Sequence, residues 1–395
     1  MKNNDRLLAY DSNTSRRELL RLLGMTGAGL MLGSLVGCQN NGKKAPPVPT
    51  DLKFYGTGTL NLEKWDQLKK DLSIGMTFKD NGNEIGPIVS QMITGTAASD
   101  FDIAGLQGGA ERELAAAGAI LPWDTGQLHH WADVWDFAKA IPHIHYNDQL
   151  YGLPIVLNAD SMIYLPEKVG TIDSYAAVFD PKLKGKTSME DSWINSTIFT
   201  AIYLKQNSLA KIDNPGDLTE SELGEVMEFL IKKKKEGQFV KLWSGWEDGL
   251  ELIKSQKAWV MTGWEPIVYA AQKAGINAKY AIPKEGYEGW SNNLVLCKGA
   301  KDRNSLELAH KFADWELGGY YGCAIADLRG YVVPTDASTA YAKSHATEFD
   351  AAKIEKIAQN VKDKFFKMKG ITFWQNMRPK NYKQYEVWWS KLRSA

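Results

Sequence analysis

Short apolar runs separated by turn-forming residues alternate with amphipathic segments along most of the chain. Apolar runs of about four to eight residues predict buried strands, and apolar residues at helical spacing predict helices that pack on them. In the first third, strands are predicted at residues 52–56, 74–78 and 101–106, and each is followed by a predicted helix. This alternation predicts an α/β fold with a largely parallel sheet.

The rest of the chain continues the pattern with less regular spacing. Residues 151–157 predict a strand that crosses between two parts of the molecule, and a polar turn is predicted at 158–161. The segment 283–291 contains two glycines and a proline, so it predicts a loop that leads into a buried strand at 292–296. Further strands are predicted at 162–165, 187–189 and 258–263, and helices at about 190–205, 219–235, 264–274 and 305–317.

Polar residues at the ends of the predicted strands indicate where a ligand binds. Ligands of parallel α/β sheets lie beyond the carboxyl ends of the strands, which places Thr57 and Gln107 at a predicted cleft. The two glycines that follow Gln107 form either a plain turn or an anion site at the start of a helix. Trp290 and Asn292 lie where the predicted loop meets its strand, and a ring beside an amide suits a small-molecule site. A core tryptophan at the start of a strand is the alternative for Trp290.

The first 50 residues contain targeting signals rather than a globular pattern. SRRELLR at residues 15–21 resembles the twin-arginine export signature, and the apolar segment at 22–36 is too short to span a membrane. LVGC at 35–38 resembles a lipoprotein cleavage box, in which Cys38 becomes the lipid-modified first residue. We therefore expect a signal peptide at residues 1–37 and a flexible tether at 38–50. The alternatives are an uncleaved anchor and a chance match of the box.

Composition narrows the function. The chain has 47 basic and 47 acidic residues, so no charge excess favours nucleic-acid binding. Its 14 Trp and 16 Tyr suit a protein that places rings against small ligands. Outside the cytoplasm, Cys297 and Cys323 either form a disulfide or remain buried thiols.

The sequence offers little support for catalysis or metal binding. No Walker A, His-Glu-x-x-His or Gly-x-Ser-x-Gly motif occurs. The pairs His129/His130 and His143/His145 are expected at the surface, because no cysteine or carboxylate cluster lies near them in the sequence. We predict no metal site and no cofactor. A dispersed catalytic triad is compatible with the sequence, so an exported lipid-anchored hydrolase is the alternative.

Five segments occur in a characteristic order along residues 51–395. They are DPKLKGK at 180–186, Gly263 with Trp264, PKEG at 283–286 with Trp290 and Asn292, Gly330 with Tyr331 and Pro334, and Trp374 with Gln375 and Asn376. Together with the lipoprotein signal, they resemble the spermidine/putrescine-binding branch of the extracellular solute-binding proteins of ABC importers.

The resemblance implies a type II periplasmic-binding-protein fold. Such a fold has two α/β lobes with mixed sheets flanked by helices, and a ligand cleft at the hinge. The resemblance assigns residues 51–154 and 291–331 to lobe 1, and residues 155–290 and 332–395 to lobe 2.

The same resemblance implies a set of binding residues and two departures from the family. The implied ligand-binding residues, with those inferred above, are Trp264, Trp290, Asn292, Tyr331, Gln375, Gln107, Asp191 and Thr57. Asn292 and Ile194 stand where polyamine binders carry carboxylates. A buried ammonium needs an opposite charge, and Glu265, Glu190 and Asp160 are the candidates to supply it.

The implied function is reversible capture of a solute without chemistry, so the chain is not expected to be an enzyme. The solute is a polyamine or a related monoamine, quaternary ammonium compound or amino-acid derivative. The expected partners are an ABC permease and its ATPase, with a sensor as the alternative receiver. We expect a monomer in the periplasm or at the cell surface, exported by the twin-arginine route and held at the membrane by its lipid.

The lipoprotein assignment predicts a measurable modification. Mature protein isolated from membranes should begin at Cys38 and carry lipid on the sulfur of that residue. Mass spectrometry of the N-terminal peptide checks both points, and an unmodified Cys38 would rule out the anchor.

Overall fold

The computed structural model describes residues 47–82, 84–367, 373–374 and 378–395, and a large mixed sheet lies at its centre. The strands are β1 (Asp51–Gly56), β2 (Gly75–Asp80), β3 (Ile103–Gln107), β4 (Ile120–Leu121), β5 (His145–Tyr146), β6 (Gln149–Leu150), β7 (Gly152–Tyr164), β8 (Thr187–Glu190), β9 (Phe239–Trp243), β10 (Val260–Gly263), β11 (Lys279–Tyr280), β12 (Glu288–Cys297) and β13 (Phe373–Trp374). The main sheet has the order β2-β1-β3-β12-β7-β10-β8-β9. Strands β4 and β13 pair with β12, and β11 pairs with β7. Strands β5 and β6 form a separate hairpin.

Helices pack around this sheet and connect its strands. They are α1 (Asp66–Leu72), α2 (Ile85–Ile93), α3 (Ala97–Asp100), α4 (Glu111–Ala116), α5 (Asp136–Lys139), α6 (Pro166–Val169), α7 (Ala176–Phe179), α8 (Asn195–Gln206), α9 (Glu220–Lys235), α10 (Gly245–Lys254), α11 (Glu265–Lys273), α12 (Gly299–Asp302), α13 (Leu306–Leu317), α14 (Tyr320–Arg329), α15 (Ala337–Ser344), α16 (Ala351–Lys367) and α17 (Tyr382–Ser394). The predicted α/β class is confirmed. No helix among these is both long and apolar enough to cross a membrane.

Two long strands in the middle of the sheet differ from the sequence-based prediction. Strand β7 continues through residues 158–161, where a polar turn was predicted, and β12 begins at Glu288 within the predicted loop. Every residue of both strands is buried. Because their backbones pair with each other over residues 152–160 and 288–295, polar side chains are accommodated inside the strands rather than in turns.

Two groups of parallel strands end near the middle of the β7–β12 pair, one group on each side of it. Strands β1, β2 and β3 are parallel, and the carboxyl end of β3 lies beside Asn292 of β12. Strands β8, β9 and β10 are also parallel, and the carboxyl end of β10 lies beside Ser161 of β7. The strand ends therefore converge on residues 156–161 of β7 from both sides.

Two hydrophobic cores flank the central strands. Phe54, Leu294 and Ile354 belong to the first core, and Met162 and Trp389 belong to the second. The sequence-based assignment of 332–395 to lobe 2 differs from this packing, because α15 and α16 contribute apolar residues to the first core. Among the residues of that segment that the structure describes, those of α17 pack in the second core.

Helix α17 is also linked to the first half of the chain. The Arg378 guanidinium, just before α17, lies 3.0 Å from the carboxylate of Glu113 on α4. The Glu113 side chain is half exposed, so this ion pair lies at the surface.

The helix predicted at 219–235 is confirmed, and its sequence explains both ends. Thr219 and Glu222 form a reciprocal capping box at the start of α9. Two of the lysines at its end contact backbone carbonyl groups of other segments. The Lys233 ammonium donates to Phe179 O (2.9 Å), and that of Lys234 donates to Leu392 O (2.8 Å).

Both cysteines in the described part of the chain, Cys297 and Cys323, are free and buried. The Cys323 thiol donates to Ser338 O at 3.0 Å, so the disulfide alternative does not hold. The signal peptide, Cys38 and the tether as far as residue 46 lie outside the described residues, and so does Gln375.

Asp102, the residue before β3, should be important for stability because it joins three segments. Its buried carboxylate accepts from Lys53 N (2.7 Å), from Arg303 Nε (2.8 Å) and from the Ser305 hydroxyl. Asp102→Ala leaves these donors without their acceptor and should lower the free energy of unfolding by about 3 kcal/mol in urea titrations. Asp136→Ala, at a fully exposed carboxylate, is the matched control and should cause no measurable loss. Equal stabilities of the two variants would contradict the assignment.

Candidate ligand-binding site

The register between β7 and β12 gathers polar residues on one face of the sheet. Asp160 lies opposite Glu288, and Asn158 lies opposite Trp290. Opposite residues of an antiparallel pair share a face, and so do alternate residues of one strand. The four side chains therefore point to the same side at the centre of the sheet.

The same face continues onto β3. Asn292 lies opposite Gln107, at the carboxyl end of β3. Asn292 is 2% exposed, and its side-chain oxygen has no hydrogen-bond partner among the described residues. Gln107 is half-buried. The structure thus brings together Trp290, Asn292 and Gln107, as the sequence-based prediction requires.

Glu288 is the least compensated polar group on this face. It is fully buried, and neither carboxyl oxygen has a hydrogen-bond partner within the part of the chain that the structure describes. Burial raises the pKa of Glu288 well above its usual range, and the nearby charges of Asp160 and Glu190 add to the shift. Buried carboxyl groups in folded proteins almost always have partners, so this group is a candidate contact for a ligand.

Two further carboxyl groups surround Glu288. Burial raises the pKa of Asp160 to about 7, although the positive charge of Lys364 opposes the shift. Burial also raises the pKa of Glu190 to about 7, against a 2.7 Å hydrogen bond from the Asn195 amide. Glu190 is the last residue of β8, not the start of a helix as predicted. The charge of Glu190 adds to the raised pKa of Asp160, and both groups add to that of Glu288, whereas Asp191 and Glu84 add to the raised pKa of Glu190.

Aromatic rings border the carboxyl groups. Trp290 and Tyr331 meet edge to face with ring centroids 5.0 Å apart. Burial raises the pKa of the Tyr331 hydroxyl, and the charges of Asp160, Glu190 and Glu265 raise it further. Tyr331 therefore shares the environment of the carboxyl cluster, and Trp290 is a buried residue of the first core that packs against the Tyr331 ring.

Trp264 and Glu265 occupy the start of α11. Trp264 is half-buried and packs edge to face on Trp243, with ring centroids 5.0 Å apart. Burial alone would raise the pKa of Glu265, but the charge and hydrogen bond of Lys364 outweigh it and the pKa is lowered. Their ion pair is 2.7 Å long and buried, so Glu265 already has a cation.

Asp191 has a different set of contacts from the one predicted. Its carboxylate accepts from the indole of Trp389 (2.8 Å) and from Arg393 Nε (2.8 Å), both on α17. These contacts attach α17 to the residue that follows Glu190.

Thr57, Gly108 and Gly109 were considered for the cleft, and the backbone N–H of each already donates a hydrogen bond within the protein. Thr57 is fully buried, and its N–H donates to Gly105 O between β1 and β3. The Gly108 N–H donates to Ser291 O, and the Gly109 N–H donates to the Glu111 carboxylate at 2.6 Å. The glycine N–H groups are therefore occupied, and the anion-site alternative is wrong.

The histidines follow the surface prediction only in part. The side chains of His129 and His130 are exposed to different degrees and lie 3.3 and 3.2 Å from the Asp314 carboxylate. His143 is buried, contrary to the prediction, and its Nε2 lies 3.3 Å from Ser291 Oγ. Among the described residues, no group of three His, Cys, Asp or Glu is placed to hold a metal ion.

Sequence reasoning missed Glu288, Asn158 and Lys364 as site residues. A signal for Glu288 exists, because it lies two positions before Trp290 and alternate strand residues share a face. That signal depends on extending the strand back through Gly289, which was assigned to a loop. Lys364 lies on a distant amphipathic helix, and its sequence neighbours give no indication of its contacts.

Comparison with known proteins agrees with this architecture. Residues 77–348 match the family described as "Bacterial extracellular solute-binding protein". No curated protein matches the chain by sequence.

Several solved structures share the fold. The spermidine/putrescine ABC transporter substrate-binding protein PotD from Streptococcus pneumoniae is 13% identical, with a TM-score of 0.68 over 88% of this chain and 99% of that protein. The Tp0655 (TpPotD) lipoprotein of Treponema pallidum is 14% identical, with a TM-score of 0.67 over 87% and 100%. The protein MotA from A. tumefaciens B6, in complex with glucopine, is 17% identical, with a TM-score of 0.61 over 87% and 99%. These similarities confirm the predicted periplasmic-binding-protein fold.

The raised pKa values predict how stability depends on pH. Asp160 and Glu190 titrate near 7 in the folded chain and near 4 in an unfolded one, so the folded state binds more protons between these values. The free energy of unfolding should therefore fall as pH rises through this window, by about 1.4 kcal/mol per pH unit for each group.

Asp160→Asn and Glu190→Gln test this dependence by removing one titrating group each. Urea unfolding at a series of pH values should give a shallower slope for each variant than for the wild type. Asp136→Asn, at a fully exposed carboxylate, should keep the wild-type slope. Three identical slopes would contradict the assignment.

Proposed function

Because the chain belongs to the family of bacterial extracellular solute-binding proteins, we propose that it is the substrate-binding component of an ABC importer. In this proposal it captures an amine-containing solute and delivers it to a membrane permease driven by an ATPase. A lipid on Cys38 holds the protein at the outer face of the membrane, and residues 38–50 act as a flexible tether. The family match and the resemblance of the N-terminus to lipoprotein signals support these roles.

One observation carries the choice of an amine. Glu288 is fully buried with neither oxygen hydrogen-bonded to any described residue, and the carboxyl groups of Asp160 and Glu190 raise its pKa further. An ammonium group would supply both the hydrogen-bond donors and the positive charge that these carboxyl groups lack. A neutral sugar would satisfy the hydrogen bonds but leave the charge repulsion in place.

The aromatic residues suit the same ligand. Trp290 and Tyr331 present ring surfaces beside the carboxyl cluster, where they can hold the cationic or apolar part of an amine. Trp264, Gln107 and Gln375 complete the proposed contacts. Asn292, which replaces a carboxylate of polyamine binders, orients a polar group of the solute through its side-chain oxygen, which has no hydrogen-bond partner among the described residues.

Binding is proposed to close two lobes around the solute. The first lobe consists of the first core with residues 51–154, 291–331 and helices α15 and α16. The second consists of residues 155–290 with α17. The separate cores and the two long strands between them support this division. The closed state gains stability only from ligand contacts that span both lobes.

Thermal-shift screening tests the proposal. The soluble chain from residue 39 is mixed with n-butylamine, γ-aminobutyrate, betaine, putrescine, spermidine, amino acids and glucose. At least one amine should raise the melting temperature in proportion to the logarithm of its concentration over Kd. A shift with glucose and with no amine would overturn the proposed ligand class.

Two variants locate the site once an amine is found. Trp290→Ala should abolish the shift, whereas the exposed Trp246→Ala should preserve it. Glu288→Gln should weaken affinity about ten- to a hundredfold in calorimetric titrations, because a charged hydrogen bond is lost. The exposed Glu307→Gln is its control. Wild-type affinity in Glu288→Gln would place the ammonium elsewhere.

A further inference from the structure

The ammonium group of Lys364 is buried inside the protein. Lys364 lies near the end of α16 and is 7% exposed. Its Nζ donates to Asn158 Oδ1 (2.9 Å), Ala159 O (3.0 Å) and Glu265 Oε2 (2.7 Å). A lysine ammonium has three N–H donors, so all of them have acceptors here.

Aromatic rings complete the surroundings of this ammonium. Nζ lies 4.7 Å from the ring centroid of Tyr280 and 5.6 Å from that of Tyr287. A carboxylate, two neutral oxygens and two rings are the groups that proteins use to bind a desolvated alkylammonium ion. The geometry is therefore that of a cation site whose occupant is a side chain of the protein itself.

This lysine site adjoins the carboxyl cluster on β7 and β12. Asn158, which accepts from Lys364, lies opposite Trp290 in the ladder, and Asp160 lies opposite Glu288. The hydroxyl of Tyr280 lies 3.4 Å from Asp160 Oδ1, while the ring of Tyr280 faces Lys364. The face thus holds two neighbouring cation positions. Lys364 fills one, and the other is at Glu288, whose oxygens have no partner among the described residues.

We propose that Lys364 is a tethered occupant of a second ammonium position, and that the solute therefore carries a single cationic group. The inference rests on the proposed function and specifies its ligand as a monoamine or an amino-acid-like compound rather than a polyamine. A diamine would have to displace Lys364 and would leave it without its buried partner Glu265. Breaking a buried ion pair in this way is unfavourable.

The charge balance of the site supports the same conclusion. Lys364 and Glu265 neutralise each other at 2.7 Å. Burial raises the pKa values of Asp160, Glu190 and Glu288, so the three do not all carry charge in the empty site. One ammonium ion matches this arrangement better than two.

Exchanging Lys364 tests the inference through ligand preference. In calorimetric titrations, the wild type should bind n-butylamine or γ-aminobutyrate at least tenfold more tightly than putrescine or cadaverine. Lys364→Ala vacates the second position, so this preference should reverse in favour of a diamine. Lys364→Met removes the charge but fills the space, so it should show no gain for diamines.

Thermal unfolding of the Lys364 variants tests the same ammonium position without the natural solute. Lys364→Ala should melt at a lower temperature than the wild type. Ethylamine at millimolar concentration should raise the melting temperature of Lys364→Ala, whereas equal ionic strength of sodium chloride should not. Lys364→Met should show no such rescue.

The outcomes separate the two proposals. If the wild type binds no amine while ethylamine rescues Lys364→Ala, the proposed function fails and the ammonium position of Lys364 stands. A folded Lys364→Ala with neither rescue nor a gain for diamines overturns the inference, as does a wild type that binds diamines more tightly than monoamines. Should Lys364→Ala not fold, the wild-type preference between monoamines and diamines decides: tighter binding of monoamines supports the inference, and tighter binding of diamines overturns it.

Discussion

The antiparallel pairing of β7 with β12 holds Asn158 and Asp160 opposite Trp290 and Glu288. Both strands are buried along their whole length; β7 contributes residues to both hydrophobic cores, and β12 contributes residues to the first. The backbone ladder satisfies the main-chain groups and so allows polar side chains to occupy the interior. The other features of the site depend on this pairing, because it fixes which carboxyl groups approach one another and which ring covers them.

Two carboxyl groups that are buried near this strand pairing have pKa values shifted in opposite directions. Glu265 meets an ammonium group and remains ionised, with a lowered pKa. Glu288 meets other carboxyl groups, and its pKa is raised. Desolvation penalises charge in both cases, and the presence of a cation decides the outcome. The structure therefore combines a hydrogen-bonded ion pair, which stabilises the fold, with a carboxyl cluster that lowers the free energy of unfolding at neutral pH. Such local conflicts are expected at functional sites.

Local sequence signals predicted the fold class and several elements but not the centre of the site. Thr219 and Glu222 cap α9 across three residues, so their pattern is visible in the sequence. In the sequence, the polar residues 158–161 of β7 resemble a turn. The β12 residues that pair with β7 are distant in the chain, so no local signal shows that these polar residues belong to a strand. Lys364 and Asn158 are 206 residues apart, and no local pattern connects them. Asp191 was predicted as a ligand-binding carboxylate, and its contacts with Trp389 and Arg393 on α17 depend on tertiary packing that no local pattern shows.

Two ion pairs among the described residues differ in their exposure to solvent. The pair between Lys364 and Glu265 is buried, whereas Glu113 is half exposed beside Arg378. Mobile ions screen exposed charges and have little effect on buried ones. Ionic strength therefore weakens the link between α4 and the segment before α17 while leaving the link beside β7 intact.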